Sequence, residues 1–215
     1  MRGDVILVGE EHRRAAGLIV DRLLDTVRAA DRRFTITVAG ESGSGKSETG
    51  QALADAFEEQ GVHAVVLQQD DYYVLPPKSN DAARRANFCW VGTSEVRLDL
   101  LDAHLEAAQS GTDAIVKPLV IYEEDRIDDE EVSLVGARVV IAEGVYTSLC
   151  EHVDRRVFID RNRLETLEHR MKRAREDFDP FIEEVLTIEH EIISQHRARA
   201  DIVITRDYDV EFVTA

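Results

Sequence analysis

The sequence predicts a doubly wound α/β fold, in which helices cover both faces of a mainly parallel sheet. Short apolar segments rich in β-branched residues alternate with segments of helical period along most of the chain. One of these apolar segments runs directly into a glycine-rich turn and then a helix, which is the order of elements around a phosphate-binding loop. The chain has 215 residues, a length that suits one such domain.

The predicted strands are mostly short and apolar, as expected for a parallel sheet that is buried on both faces. They cover residues 5–8, 34–38, 63–68, 114–117, 137–141, 156–159 and 202–205. The predicted helices lie between them and cover residues 11–28, 47–59, 95–109, 145–151, 163–175 and 180–196. This alternation predicts parallel strands joined by right-handed crossovers.

Three segments stand outside the simple alternation, although we expect residues 1–215 to form a single domain. Residues 1–30 are predicted to be an extra strand–helix unit in front of the glycine-rich turn. Residues 71–97 contain two prolines and many charges and predict a long loop at the carboxyl edge of the sheet, where ligands bind in this architecture. Residues 116–132 are predicted to add a small hairpin or lid near the sheet. Residues 71–126 are expected to form the substrate side, and residues 161–178 are predicted to be a helical lid.

Composition excludes several classes of protein. The chain carries 43 acidic and 26 basic residues, a formal charge of −17, whereas nucleic-acid-binding surfaces are basic. No apolar run approaches the roughly 18 residues that span a membrane, and the first residues lack the apolar stretch of a signal peptide. Two cysteines are too few for a disulfide framework. We expect a cytoplasmic protein without nucleic-acid or membrane partners, and self-association stays open.

The glycine-rich turn matches the motif G-x-x-x-x-G-K-[ST] in full. Glycines let the backbone turn tightly and bring its N–H groups to phosphates, while the lysine reaches the β- and γ-phosphates and the final hydroxyl can ligate Mg²⁺. The helix that follows adds the positive end of its dipole. We therefore predict ATP and Mg²⁺ binding, against the alternative of a chance match. The matching residues are Gly40-Glu41-Ser42-Gly43-Ser44-Gly45-Lys46-Ser47.

Two predicted strands end in carboxylates. Asp70 and Asp71 follow the strand at 63–68, and Glu143 follows the strand at 137–141. At the carboxyl edge of a parallel sheet, one such group can accept a proton from an attacking hydroxyl and help to hold Mg²⁺. The alternatives are that Asp70 caps a helix in a polar turn and that Glu143 lies in a surface turn.

Six basic residues crowd positions 161–175. Arg170 and Arg173 are three residues apart, so they share one face of the predicted helix. Arginines in this position can neutralise charge on a transferred phosphoryl group. The alternative is a solvated charged face without a role in chemistry.

Taken in order, these elements resemble the uridine kinase/phosphoribulokinase family of P-loop kinases over residues 34–206. The resemblance implies ATP-dependent transfer of the γ-phosphoryl group to a hydroxyl of a small molecule, with Asp70 as the catalytic base. It places Lys46, Arg170 and Arg173 in catalysis, and it places Ser47, Glu143 and Asp70 at Mg²⁺. The substrate-side motifs of the family point to four further residues, which are Tyr73, Asn87, Tyr122 and Arg126.

The acceptor segment departs from the family. Where nucleoside kinases carry Asp-His-Pro after Asn-Phe, this chain carries Cys89-Trp90-Val91, so the carboxylate that would hold the ribose hydroxyls is absent in register. One interpretation is a uridine kinase-like activity. A kinase for a sugar, cyclitol, vitamin precursor or nucleotide sugar is a second, and a regulatory nucleotide-binding ATPase without an acceptor is a third.

Overall fold

The structure is a computed structural model that describes residues 5–161 and 179–213. Its helices are α1 (Glu10–Ala29), α2 (Lys46–Glu59), α3 (Pro77–Ala86), α4 (Leu98–Gln109) and α5 (Pro180–Ile193). Its strands are β1 (Phe34–Gly40), β2 (Ala64–Gln68), β3 (Ala114–Ile121), β4 (Arg126–Ser133), β5 (Val139–Glu143), β6 (Arg155–Ile159), β7 (Ile202–Ile204) and β8 (Val210–Phe212). The predicted helix at 163–175 lies outside the described residues.

Six strands form the main sheet in the order β2-β5-β1-β6-β7-β8. The first five are parallel, and β8 pairs antiparallel with β7. Strand β1 is central and buried along its whole length. Its carboxyl end lies between the ends of β5 and β6, with Val38 opposite Glu143 and Gly40 opposite Ile159. The loops that follow β1, β2 and β5 therefore leave the sheet at one edge.

Helices cover both faces of the sheet, as predicted. On one face, α1 and α2 bury Ile19, Leu53 and Phe57 in the same cluster as the apolar side chains of β1 and β5. On the other face, α4 packs with the alternate side chains of β5, and Leu101 and Leu105 are fully buried there. This arrangement confirms the doubly wound α/β prediction.

Two predicted elements, the strand at 5–8 and the helix at 145–151, were wrong. Residues 5–9 form no strand, and Val5 and Leu7 are exposed, because this short apolar run finds no strand to pair with. The N-terminal unit is thus α1 alone. The predicted helix at 145–151 contains only a 3₁₀ turn, Thr147–Leu149, whose Thr147 hydroxyl donates to the carbonyl oxygens of Val38 and Gly144. Those bonds hold the segment in a tight buried turn.

Residues 71–126 are more ordered than predicted. The expected loop at 71–97 contains α3, which escaped prediction because Asn80 is its only buried residue and the helix has no apolar period. The predicted strand at 114–117 does not join the main sheet. It is the start of β3, which pairs with β4 in a separate antiparallel hairpin, and this confirms the predicted hairpin. Among the residues described, no helix has the length and apolarity needed to cross a membrane.

A buried ion pair ties the hairpin to the end of β2. The ammonium nitrogen of Lys117 lies 2.6 Å from a carboxylate oxygen of Asp71, and both side chains are almost fully buried. The other carboxylate oxygen of Asp71 accepts a hydrogen bond from the backbone N–H of Val120 at 3.0 Å. Glu130 lies 3.0 Å from the same ammonium group. The second of the two strand-end aspartates therefore has a structural role.

We predict that Lys117→Met lowers the free energy of unfolding by about 3–5 kcal/mol, because Asp71 would remain buried without its cation. Urea denaturation followed by circular dichroism measures the loss. Arg126→Met on the same hairpin is the matched control: its ion pairs with Glu124 and Asp128 are exposed, so it should cost less than about 1 kcal/mol. Equal losses in the two variants would contradict a structural role for the buried pair.

Candidate active site

The glycine-rich turn connects the end of β1 to the start of α2, as predicted. Gly43 and Gly45 have positive φ angles of 76° and 96°, which glycine adopts without steric cost. A Cβ atom at Gly45 would lie 2.6 Å from the Tyr208 hydroxyl, and one at Gly40 would lie 3.0 Å from the carbonyl oxygen of Ile159. Backbone conformation and close packing thus both require glycine in this loop.

The polar groups of the loop suit a phosphate chain. Lys46 at the first position of α2 folds back and donates to the carbonyl oxygen of Glu41 at 2.9 Å. The Ser44 hydroxyl oxygen is buried and has no hydrogen-bond partner within the described residues. A buried hydroxyl without a partner is costly, and an anion seated at the start of α2 would supply an acceptor. These residues fit the phosphates of a nucleotide.

Glu143 lies at the carboxyl edge of the sheet, between the ends of β1 and β2. It ends β5, with Val38 of β1 opposite on one side and Gln68 of β2 on the other, and it is 4% exposed. Burial raises the pKa of Glu143 to about 7, and the nearby charge of Asp70 adds to this shift, while Lys46 and a hydrogen bond from Ser47 oppose it. The surface-turn alternative was wrong.

Asp70 lies in a 3₁₀ turn, Gln69–Tyr72, that directly follows β2. Its side chain is exposed at the sheet edge. The position that caps this turn is Gln68, which makes no side-chain capping bond, so the helix-cap alternative was wrong. Asp71 is thus buried against Lys117, whereas Asp70 lies exposed at the sheet edge.

A close contact holds the Asp70 turn against the loop that follows Glu143. Gly144 has a φ of 155°, and its N–H donates to the carbonyl oxygen of Val38 at 3.0 Å. The side chain of Gln69 accepts a hydrogen bond from the backbone N–H of Tyr146 at 2.7 Å. A Cβ atom at Gly144 would lie only 2.2 Å from the Cβ atom of Gln69. The two acidic loops are therefore packed against each other without room for a further atom.

A buried contact supports the phosphate loop from α1, and no sequence motif predicted it. The hydroxyl of Tyr208, in the turn between β7 and β8, lies 2.9 Å from Nε2 of His12 in α1. It also accepts a hydrogen bond from the guanidinium of Arg161 at 2.9 Å and lies 3.4 Å from the carbonyl oxygen of Ser44. His12 and Tyr208 are both buried. Helix α1 thus supports the loop through a tyrosine that is distant in sequence.

A second contact joins the loop to α5. Nδ1 of His190 lies 2.6 Å from a carboxylate oxygen of Glu41, and Glu41 is almost fully buried. Beside this contact lies a cavity of about 500 Å³ at the ends of β6 and β7, lined by residues that include Phe158, Arg161 and Thr205. This cavity adjoins the phosphate loop on the side away from Glu143.

The four predicted substrate residues differ in their exposure and in the contacts that they make. Tyr73 directly follows the Asp70 turn and is half-buried, and burial raises its pKa. The Asn87 side chain accepts a bond from the backbone N–H of Cys89 at 3.0 Å and so caps a 3₁₀ turn. Tyr122 is 45% exposed at the end of the hairpin, and Arg126 pairs with carboxylates of the same hairpin. Arg170 and Arg173 lie outside the described residues.

The chain belongs to the phosphoribulokinase/uridine kinase family, because the model of that family matches residues 35–206. This membership makes the protein a small-molecule kinase with a P-loop nucleotide-binding fold.

Individual relatives carry different activities in their names. The chain is 30% identical over 195 residues to a bifunctional alpha-galactosidase/sucrose kinase of Mediterraneibacter gnavus, covering 84% of this chain but 21% of that protein. It is 25% identical to a uridine kinase of Bacillus mycoides (strain KBAB4), covering 81% of this chain and 86% of the relative. The phosphoribulokinase structure from Rhodobacter spheroides superposes with a TM-score of 0.63 at 13% identity, covering 82% of this chain and 71% of that one.

We predict that Gly144→Ala lowers the free energy of unfolding by more than about 2 kcal/mol and reduces kcat, because the new methyl group must displace Gln69 and the adjoining Asp70. Gly111→Ala is the matched control. Gly111 also has a positive φ, of 89°, but a Cβ atom there meets nothing within 4 Å, so only the backbone strain of about 1 kcal/mol should appear. Thermal melts and steady-state rates for both variants test this, and an equal effect would rule out the loop contact as the cause.

Proposed function

We propose that the protein transfers the γ-phosphoryl group of ATP, with Mg²⁺, to a hydroxyl group of a small-molecule acceptor. One observation carries this proposal: the phosphate loop, Asp70 and Glu143 meet at one edge of the sheet, with Ser47 bonded to Glu143. Phosphoryl transfer needs positioning and charge stabilisation more than covalent chemistry. An edge with a phosphate cradle, a buried acid and an exposed acid supplies both.

The donor side follows from the loop. The N–H groups at the start of α2 and the ammonium group of Lys46 would hold the phosphates, and the cavity beside Arg161 and Thr205 has room for the nucleoside part of ATP. Ser47, Glu143 and Asp70 would hold Mg²⁺, a set of oxygen donors of the kind that this ion prefers. When bound, Mg²⁺ neutralises charge on the β- and γ-phosphates.

The acceptor side follows from Asp70. The acceptor hydroxyl oxygen attacks the γ-phosphorus, the bond from that phosphorus to the oxygen of the leaving ADP breaks, and the hydroxyl proton passes to the Asp70 carboxylate. We infer that 71–126 binds the acceptor. We also infer that Arg170 and Arg173, in a lid at 161–178, neutralise charge on the transferred group.

Two relatives suggest two acceptor classes, since one is named a uridine kinase and the other includes a sucrose kinase. We expect ADP release from ATP to depend on one compound in a panel of nucleosides, sugars, cyclitols and vitamin precursors. Coupled ADP detection measures it, with each compound omitted in turn as the control. ADP release of the same rate without any acceptor would instead support the alternative of a regulatory ATPase.

We predict that Asp70→Asn lowers kcat by about 10²–10⁴-fold while ATP affinity is retained, because the amide cannot accept the hydroxyl proton. Steady-state kinetics give kcat, and equilibrium titration with ATP gives the affinity. Asp21→Asn, at an exposed position of α1, is the control and should match the parent protein. A turnover within a few-fold of the parent would remove Asp70 from the role of base.

A further inference from the structure

A buried polar network lies beside Asp70 and belongs to none of the sequence motifs. Its centre is Glu95, which is fully buried. Glu95 accepts hydrogen bonds from the side chain of Asn80 at 2.7 Å, from the guanidinium of Arg84, and from the backbone N–H of Gly92 at 2.7 Å. Arg84 also donates to Glu189 of α5 at 3.3 Å. The network thus joins α3 to α5.

The network adjoins the reacting edge. Tyr73, which directly follows the Asp70 turn, has its ring centroid 6.0 Å from the guanidinium carbon of Arg84. Burial raises the pKa of Glu189. The charge of Arg84 opposes this shift, as does that of Lys46, while the charge of Asp70 adds to it. The residue after Glu189 is His190, which contacts the phosphate loop through Glu41. Through its bond from Arg84 and through the neighbouring His190, Glu189 therefore connects the network to the phosphate loop.

The two carboxylates of the network, Glu95 and Glu189, differ in the number of hydrogen bonds that they accept. Both oxygens of Glu95 accept hydrogen bonds, as described above. Glu189 accepts one, at 3.3 Å from Arg84, among the residues that the structure describes, although an ionised carboxylate has about four acceptor sites. The Tyr146 hydroxyl, whose pKa is raised by burial and then by the charge of Glu189, has no hydrogen-bond partner in the described ranges. Hydrogen-bonding capacity is thus left over at Glu189 and at Tyr146.

Three basic side chains of the network and the hairpin are paired with carboxylates. Arg84 is engaged by two carboxylates, and Lys117 is engaged by Asp71 and Glu130. Arg126 is likewise engaged by carboxylates of the hairpin. A phosphorylated acceptor would bring two more negative charges to a site that already holds Asp70, Glu143 and Glu189. A neutral acceptor with several hydroxyl groups would instead donate to the carboxylates.

We propose that Glu189, oriented by Arg84, binds the hydroxyl groups of a neutral polyol acceptor. This proposal rests on the kinase function proposed above. Glu189 supplies from α5 the carboxylate that the Cys89-Trp90-Val91 segment lacks. Trp90 has another role: its indole N–H donates to the side-chain oxygen of Asn80 at 2.8 Å and so helps to hold the network together.

The first test compares matched pairs of acceptors, each a neutral compound and its phosphate ester: uridine with uridine monophosphate, and fructose, sucrose and inositol with their phosphates. We expect ADP release only with a neutral member. Preference for a phosphorylated member would overturn the neutral-polyol assignment and leave the kinase function standing. ADP release with no acceptor dependence in a panel that also includes other hydroxyl compounds would overturn both.

The second test is Glu189→Gln, which keeps the shape of the side chain but removes its charge. We expect KM for the acceptor to rise about 10–100-fold, the effect of losing a hydrogen bond to a charged group, while KM for ATP stays unchanged. A merely structural role would raise both KM values or lower the melting temperature without this split. Glu191→Gln, at an exposed position of the same helix, is the control, and an unchanged acceptor KM in Glu189→Gln would overturn the role of Glu189.

A third measurement follows acceptor binding instead of turnover. The neutral acceptor should raise the melting temperature of the parent protein in the presence of a non-hydrolysable ATP analogue, because it binds the folded state. The same acceptor should give a much smaller shift with Glu189→Asp, whose shorter side chain keeps the charge but withdraws the oxygens. An equal shift in the two proteins would count against hydroxyl binding by this carboxylate.

Discussion

The parallel register of β2, β5 and β1 is the constraint on which the site depends. It sets Gln68, Glu143 and Val38 in one row, so three loops leave the sheet side by side. The phosphate loop follows β1, the Asp70 turn follows β2, and Glu143 ends the strand between them. Antiparallel neighbours would send alternate loops to opposite edges. The side chains of the site lie near one another because the sheet brings their backbone positions together.

The donor half of the site was predictable because its signals are local. The phosphate loop, Asp70 and Glu143 each occupy a few consecutive residues next to an apolar strand, and a strand ending in a carboxylate is visible without knowledge of the fold. The same locality explains the error at 5–8. A short apolar run predicts a strand, but only a neighbouring strand can stabilise it, and Val5 and Leu7 have none.

The acceptor half was not predictable in the same way. Helix α3 lacks an apolar period because its inward-facing residues are polar, and Arg84 and Glu189 are brought together across 105 positions of sequence. Their burial is tolerable only because each offsets the charge of the other, and this compensation exists only in the folded chain. Single residues such as Glu189 and Tyr208 look like ordinary surface positions until their partners are known.

The contact of His12 and Tyr208 behind Gly45 has a consequence for folding. The two residues are separated by 196 positions, so their contact has a high cost in loop-closure entropy and should form late. The phosphate loop would therefore acquire its final support only after the sheet between these residues has assembled. A chain caught partway through folding would carry the full phosphate-binding motif without a rigid loop to present it. Nucleotide binding would then indicate that the whole domain has folded.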